Sequence, residues 1–390
     1  MRIRQSSLEF APAQRKQGVT PSRSRPGGFN KLRIINKALL PLLLIVCAFA
    51  SSALAHSLFV VTTLSDAVAV IDSSTDQITT TIPVGTGPIR IAMSPDRLKA
   101  YVSNGTAGTV SVLDTVALAT TATIRVGANP QESAVTPDGG RLYLVHQSTN
   151  AVTVIDTATD LVIINIFIDG RENDVLFTLD GRFAYLANYA KGRVDVVDTA
   201  TYQVTMIPTA AGSRRLAISP AGDRVFVTNF LGHSLSVIDT LTQQLIATIP
   251  VGNGPRGIAI TPSGDAIYVT NVQDGTVSII DSGTLTVIKT IRVGNKPWNV
   301  IITDDGTMAF VSNSGRPGTV SVIDTATREV IKTLASGPGA FALAINPDGN
   351  KLYVSNAKDS TVTVIDIPSL TVLRTISDVG LSPFDLAFGP

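Results

Sequence analysis

The stretch "PRGIAITPSGDAIYVTNVQDGTVSIIDSGTLTVIKTIRVG", Pro255 to Gly294, decides the fold. GIAIT is a strand of small and branched apolar residues, and PSGD is a tight turn. AIYVTN is a second strand, ended by Asn271, a residue suited to the left-handed conformation. VQDG turns the chain into TVSIID, SGTLT turns it again, and VIKTIRVG is a fourth strand. Four short strands joined by tight turns make an antiparallel meander. Its strands are apolar along nearly their whole length, so both faces need cover that one meander cannot supply.

The cover comes from repetition. The third-strand motif ends on Asp72, Asp114, Asp156, Asp198, Asp239, Asp281, Asp324 and Asp366, in steps of 41 to 43 residues. An aromatic column runs beside it: Phe59, Tyr101, Tyr143, Tyr185, Phe226, Tyr268, Phe310 and Tyr353. Four strands in about 42 residues are the signature of a β-propeller blade. All four strand columns occur eight times without remainder. This predicts an all-β propeller of eight four-stranded antiparallel blades, with seven as the alternative. The chain after residue 55 opens on a second-type strand, "LFVVT", and the final "SPFDLAFGP" supplies the missing innermost one. The two are expected to pair and close the ring.

The "YVTN…VSVIDT…ATIPVG…P.GIAI.PDG" pattern resembles the YVTN-repeat β-propeller family, within the lactonase-like propeller superfamily. That family includes exported bacterial propellers and archaeal surface-layer proteins. The resemblance covers about 333 residues and implies the fold. It implies little about activity, because one fold hosts many.

Residues 1–55 differ from the rest. They hold nine basic residues and one acid, Glu9, followed by the apolar run "ALLPLLLIVCAFA" and the small-residue site Ala53-Leu54-Ala55. This reads as a secretory signal peptide behind a long basic n-region, and the run is too short for a membrane span. The domain reading is therefore a leader over 1–55 and one propeller over 56–390. Of 31 basic and 30 acidic residues, 22 and 29 remain after residue 55, a net charge of −7. That balance argues against a broad phosphate-binding footprint. The sole cysteine, Cys47, lies in the leader, so the mature chain has neither disulfides nor cysteine metal sites. The expected protein is a monomer in the periplasm, outside the cell or on its surface.

Residues present in every blade serve the blade. The aspartates precede turns whose N–H groups they are placed to accept, and the Asn and Tyr/Phe columns are scaffold likewise. Function belongs where the blades differ. The two positions after the recurrent proline, at the mouth of the central channel, vary widely. The first column reads Ile89, Gln131, Asn173, Arg214, Arg256, Trp298, Phe341, Phe384; the second reads Arg90, Glu132, Asp174, Arg215, Gly257, Asn299, Ala342, Asp385. A basic arc faces an aromatic arc holding the only tryptophan in the chain. Loops carrying Tyr189, Lys191, Phe230, His233 and Lys358 share that face, and His146 ends its strand there. Aromatics beside arginines suit an anionic or ring-bearing ligand.

Motifs for a zincin, a nucleophile elbow or a P-loop are absent, and no catalytic, metal or cofactor residues are assigned. The expectation is an exported, non-enzymatic propeller that binds a protein, glycan or small molecule through the channel mouth. The alternatives are a lactonase-like hydrolase built on Glu132, Glu172, Asp174 and the arginines, or a quinoprotein-type oxidoreductase. Single-stranded nucleic acid bound at Arg214 and Arg215 is a further, less favoured alternative.

Overall fold

The computed structural model describes residues 56–390 and is all-β there; the signal-peptide reading of residues 1–55 lies outside the described residues. Eight four-stranded antiparallel sheets form the ring. Blade 6 is typical, with strands Pro255–Ile260, Ala266–Asn271, Thr276–Asp281 and Thr286–Arg292. The innermost strands of blades 2 to 8 are Pro88–Met93, Pro130–Val135, Glu172–Phe177, Ser213–Ile218, Pro255–Ile260, Pro297–Ile302 and Ala340–Ile345. Blade 1 takes its innermost strand, Pro383–Phe388, from the other end of the chain. It pairs with Ser57–Thr62 in the register Leu58↔Phe388, Val60↔Leu386, Thr62↔Pro383. The expected eight blades and the expected closure are both present.

Burial explains the apolar strands. Second and third strands are buried on both faces, whereas outermost strands such as Ala119–Arg125 alternate exposed and covered residues. Each blade therefore lacks a core of its own. Apolar clusters form between consecutive blades: Tyr268, Ile279 and Ile291 of blade 6 pack on Val300, Val311 and Ile323 of blade 7. The ring closes the same way, with Tyr353, Val362 and Val364 of blade 8 on Leu58, Val60 and Ile71 of blade 1. There the Lys351 ammonium reaches the Asp76 carboxylate (2.9 Å), and the Tyr353 hydroxyl donates to the same carboxylate (2.6 Å).

The recurrent aspartates act as expected. Asp156 Oδ1 accepts from the N–H groups of Ala158 and Thr159 at 3.0 and 2.8 Å. These bonds from Thr159 and Ala158 hold its carboxyl below the usual range. The asparagines differ from expectation. Asn271 and its counterparts are fully buried strand residues and are absent from the residues with positive φ. The side chain, not the backbone conformation, is what the position uses. Asn271 Nδ2 donates to Thr276 Oγ1 and Ser278 Oγ at 3.0 and 2.9 Å, clipping the second strand to the third. His146 occupies the same column and makes the same clip, its Nε2 lying 2.8 Å from Thr153 Oγ1.

Candidate functional site at the channel mouth

In all eight blades the ladder between the innermost and second strands slips at the start of the innermost strand. In blade 5, Ser213 faces Asn229 and Leu216 faces Val227, so Arg214 and Arg215 together oppose Thr228. This is a β-bulge, a device that re-aims side chains at functional rims. The two variable columns are thus the two residues of the bulge. Hydroxyls of the second strand hold it in place. Thr228, Thr270, Ser312 and Ser355 accept the N–H groups of Arg215, Gly257, Asn299 and Ala342. Thr228 and Ser312 then donate to the Arg256 and Phe341 carbonyls of the next blade.

The bulge separates the columns. All eight second-column residues line one cavity of about 350 Å³ on the channel axis, joined from the first column by Arg256, Trp298, Phe341 and Phe384. Gln131, Asn173, Arg214 and His233 are not part of that lining. Gln131 donates to Asn129, and Asn173 accepts from Gln147. Arg214 stacks on Phe230 at 5.0 Å, and His233 Nδ1 accepts the Gly254 N–H. Glu172 sits beside the channel but inside blade 4. It is fully buried, and its Oε1 accepts from Asn188 Nδ2. Burial, backed by the nearby Asp195 carboxylate, pushes its carboxyl up to about 8.

The cavity wall has two halves. One is aromatic: Trp298, Phe341 and Phe384 stand in a row with ring centroids 4.6 and 5.4 Å apart. The other is ionic: Glu132 Oε2 binds Arg90 Nε at 2.8 Å and Arg215 Nη1 at 2.7 Å, and Arg215 also approaches Asp174 at 3.4 Å. Guanidiniums join the halves, Arg90 over Phe384 at 4.8 Å and Arg256 over Trp298 at 3.2 Å. Gly257 permits the second junction. A Cβ there would lie 2.8 Å from Asn299 Cα and 2.9 Å from the Trp298 carbonyl oxygen.

The charges are unequal in their partners. Burial opposes ionisation of Glu132, but Arg215 and Arg90 outweigh it and hold the carboxyl below its usual range. Burial raises Asp174 to about 6 despite Arg215. Asp385 is also raised by burial. Arg256 is 6% exposed, and among the described residues its side chain makes no ion pair or hydrogen bond. Burial, and then Arg214, Arg215 and Arg90, depress its guanidinium far below its ordinary value.

A family profile described as "YNCE-like beta-propeller" matches residues 127–308, somewhat under half of the chain. The chain is a β-propeller whose repeats are similar to those of that family. No curated protein matches its sequence. Among solved structures, the propeller is similar to a dihydro-heme d1 dehydrogenase, NirN, in complex with DHE. The TM-score is 0.74 at 17% identity, covering 85% of this chain and 74% of that one. It is similar to Kuenenia stuttgartiensis hydrazine synthase (TM-score 0.60, 23% identity, 73% and 97% covered). It is also similar to a functionally unknown protein from Desulfotomaculum acetoxidans (TM-score 0.63, 17% identity, 85% and 98% covered). At these identities the likeness carries the fold. The findings correct the expectation of a non-enzymatic scaffold: two of these three propellers are described as enzymes, and none as a scaffold. The enzymatic alternative fits them better.

Proposed function

We propose that this propeller is an oxidoreductase that takes a planar, carboxylate-bearing ring compound at its channel mouth. One observation carries the reading: Arg256 is buried, makes no ion pair among the described residues and lies against the aromatic row. An uncompensated buried charge costs several kcal/mol, and a ligand carboxylate bound to the guanidinium fork offsets that cost. The row from Trp298 to Phe384 supplies flat apolar surface for the attached ring. The description of one similar propeller as a dehydrogenase in complex with DHE supports a redox activity on a bound compound.

The lining fits some groups better than others. It contains no His, Cys, Met or Tyr, the side chains that ligate haem iron, so the cavity lining supplies no axial ligand. A cavity of about 350 Å³ lies near the small end of the range for ligand sites, about 300–1,000 Å³, and favours two or three fused rings over a macrocycle. A quinone cofactor of that size fits and, when bound, accepts two electrons. The chain's own part is to hold the carboxylate at Arg256, orient the ring on Phe341 and take a proton at Asp174. The proposal includes export through the 1–55 leader and action as a monomer outside the cytoplasm.

The test is dye-linked turnover. Protein loaded with pyrroloquinoline quinone is expected to reduce an artificial acceptor when offered small alcohols, and Arg256→Gln to lose at least tenfold in apparent quinone affinity. Loaded protein that stays inactive across an alcohol, amine and aldehyde panel rejects the quinone assignment. A lactonase-like hydrolase is the second reading, favoured by the contrast between Glu132, held ionised, and Asp174, raised towards neutrality. Lactone hydrolysis abolished by Asp174→Asn would select it.

A further inference from the structure

The aromatic row has a charged residue at each end. Arg256, in blade 6, stacks on Trp298. At the far end, in blade 1, Asp385 is the second residue of the bulge that also carries Phe384. Its Oδ2 accepts the Ile91 N–H of blade 2 at 3.2 Å, which fixes the carboxylate against the cavity wall. Its Oδ1 accepts nothing from the protein among the hydrogen bonds of the described residues. The nearby guanidinium, Arg90, directs its Nε to Glu132 and lays its plane over Phe384.

Asp174 provides an internal comparison. It occupies the same bulge position in blade 4, and its Oδ2 accepts the Leu216 N–H of the next blade at 2.9 Å. Its Oδ1, however, already receives Val175 N–H and Arg215 Nη1. The shared bond to the next blade is scaffold; the free oxygen is peculiar to Asp385. Between Arg256 and Asp385 the second column offers Gly257 and Ala342, which carry no polar group. Asn299 turns its Oδ1 to the Val300 N–H.

We infer that Asp385 is a specificity-determining residue, and that the ligand is an aromatic carboxylate bearing an N–H or O–H donor on the edge opposite the carboxylate. The carboxylate binds Arg256, the ring lies on the row from Trp298 to Phe384, and the donor reaches Asp385 Oδ1. Asp385 is partly buried; a ring lacking the donor covers its Oδ1 without pairing it, and sites built this way reject such analogues strongly. The inference rests on the ring-carboxylate reading above and adds the second pole.

The experiment is isothermal titration of the protein with 2-naphthoate, 6-hydroxy-2-naphthoate and 6-amino-2-naphthoate. The hydroxy and amino compounds are expected to bind at least tenfold tighter than 2-naphthoate. Asp385→Asn, which keeps an acceptor for Ile91 N–H but turns an N–H₂ towards the ligand, is expected to erase the preference for the amino compound, whose N–H₂ then meets another donor, and to leave 2-naphthoate affinity within twofold. Equal binding of all three compounds by the native protein, lost in Arg256→Gln, overturns the role of Asp385 and leaves the ring-carboxylate reading standing. Failure of all three to bind overturns both. The native preference decides even where Asp385→Asn does not fold, and a preference for the amino compound that survives in a folded Asp385→Asn protein refutes the assignment.

Discussion

At the scale of single residues, blade 4 departs furthest from its neighbours. Where other blades start the innermost strand with Pro, Ser or Ala, it has Glu172, and where others place Ser, Thr or Ala in the third strand it has Asp195. Both are fully buried, and Asn188 Nδ2 bridges them at 3.1 and 2.8 Å. Glu172 is raised to about 8 in the fold, so its contribution to stability is fully present below its unfolded value near 4.5 and is lost as pH rises to about 8. Glu172→Gln is expected to flatten the melting temperature between pH 5 and 8. An unchanged pH profile would show that Glu172 is not the buried proton. Asp174 gives a second pH effect. As pH falls through about 6 it gains a proton, and the cavity, with Glu132 still ionised by Arg90 and Arg215, loses one negative charge. Aromatic carboxylates are expected to bind several-fold tighter at pH 5.5 than at 7.5, and Asp174→Asn to remove most of that difference. Calorimetry at the two pH values checks it.

At the scale of elements, the bulge is the unit that makes the site. Strands, turns and the Asx bonds were legible in the sequence because they recur in every blade and act within a few residues. The variable columns were legible as the place where recurrence stops. Their division into cavity and rim was not, because it depends on which bulge residue points inward. That is set by hydroxyls such as Thr228 and Thr270, which look like ordinary strand residues. The ion network was also out of reach: Glu132 and Arg215 lie two blades apart around the ring, and no local spacing announces their contact. Thr228→Val removes the acceptor for Arg215 N–H and the donor to the Arg256 carbonyl. It is expected to cost about 1–3 kcal/mol in stability and to weaken ligand binding as well. Denaturant melts and calorimetry of the same variant separate the two effects, and a variant that matches the native protein in both would show that the hydroxyl does not hold the bulge.

At the scale of the molecule, eight interblade cores make the ring a closed chain of neighbours, each blade depending on two others. Removing Ser382–Pro390 deletes the innermost strand of blade 1, exposes the edge of Leu58–Thr62 and strips Leu386 and Phe388 from the junction with blade 8. The truncated protein is expected to melt about 10 °C or more below the full chain; equal melting would refute closure as a source of stability. The closed ring also brings Arg256, which makes no ion pair among the described residues, the Asp385 carboxylate and three aromatic rings around a single axis. The proposed function rests on that placement, and the only tryptophan in the chain stands inside it. Emission from Trp298 during titration with pyrroloquinoline quinone tests it most directly. Saturable quenching is expected in the native protein, with at least tenfold weaker binding in Arg256→Gln. Quenching that is absent, or the same in both proteins, would contradict it.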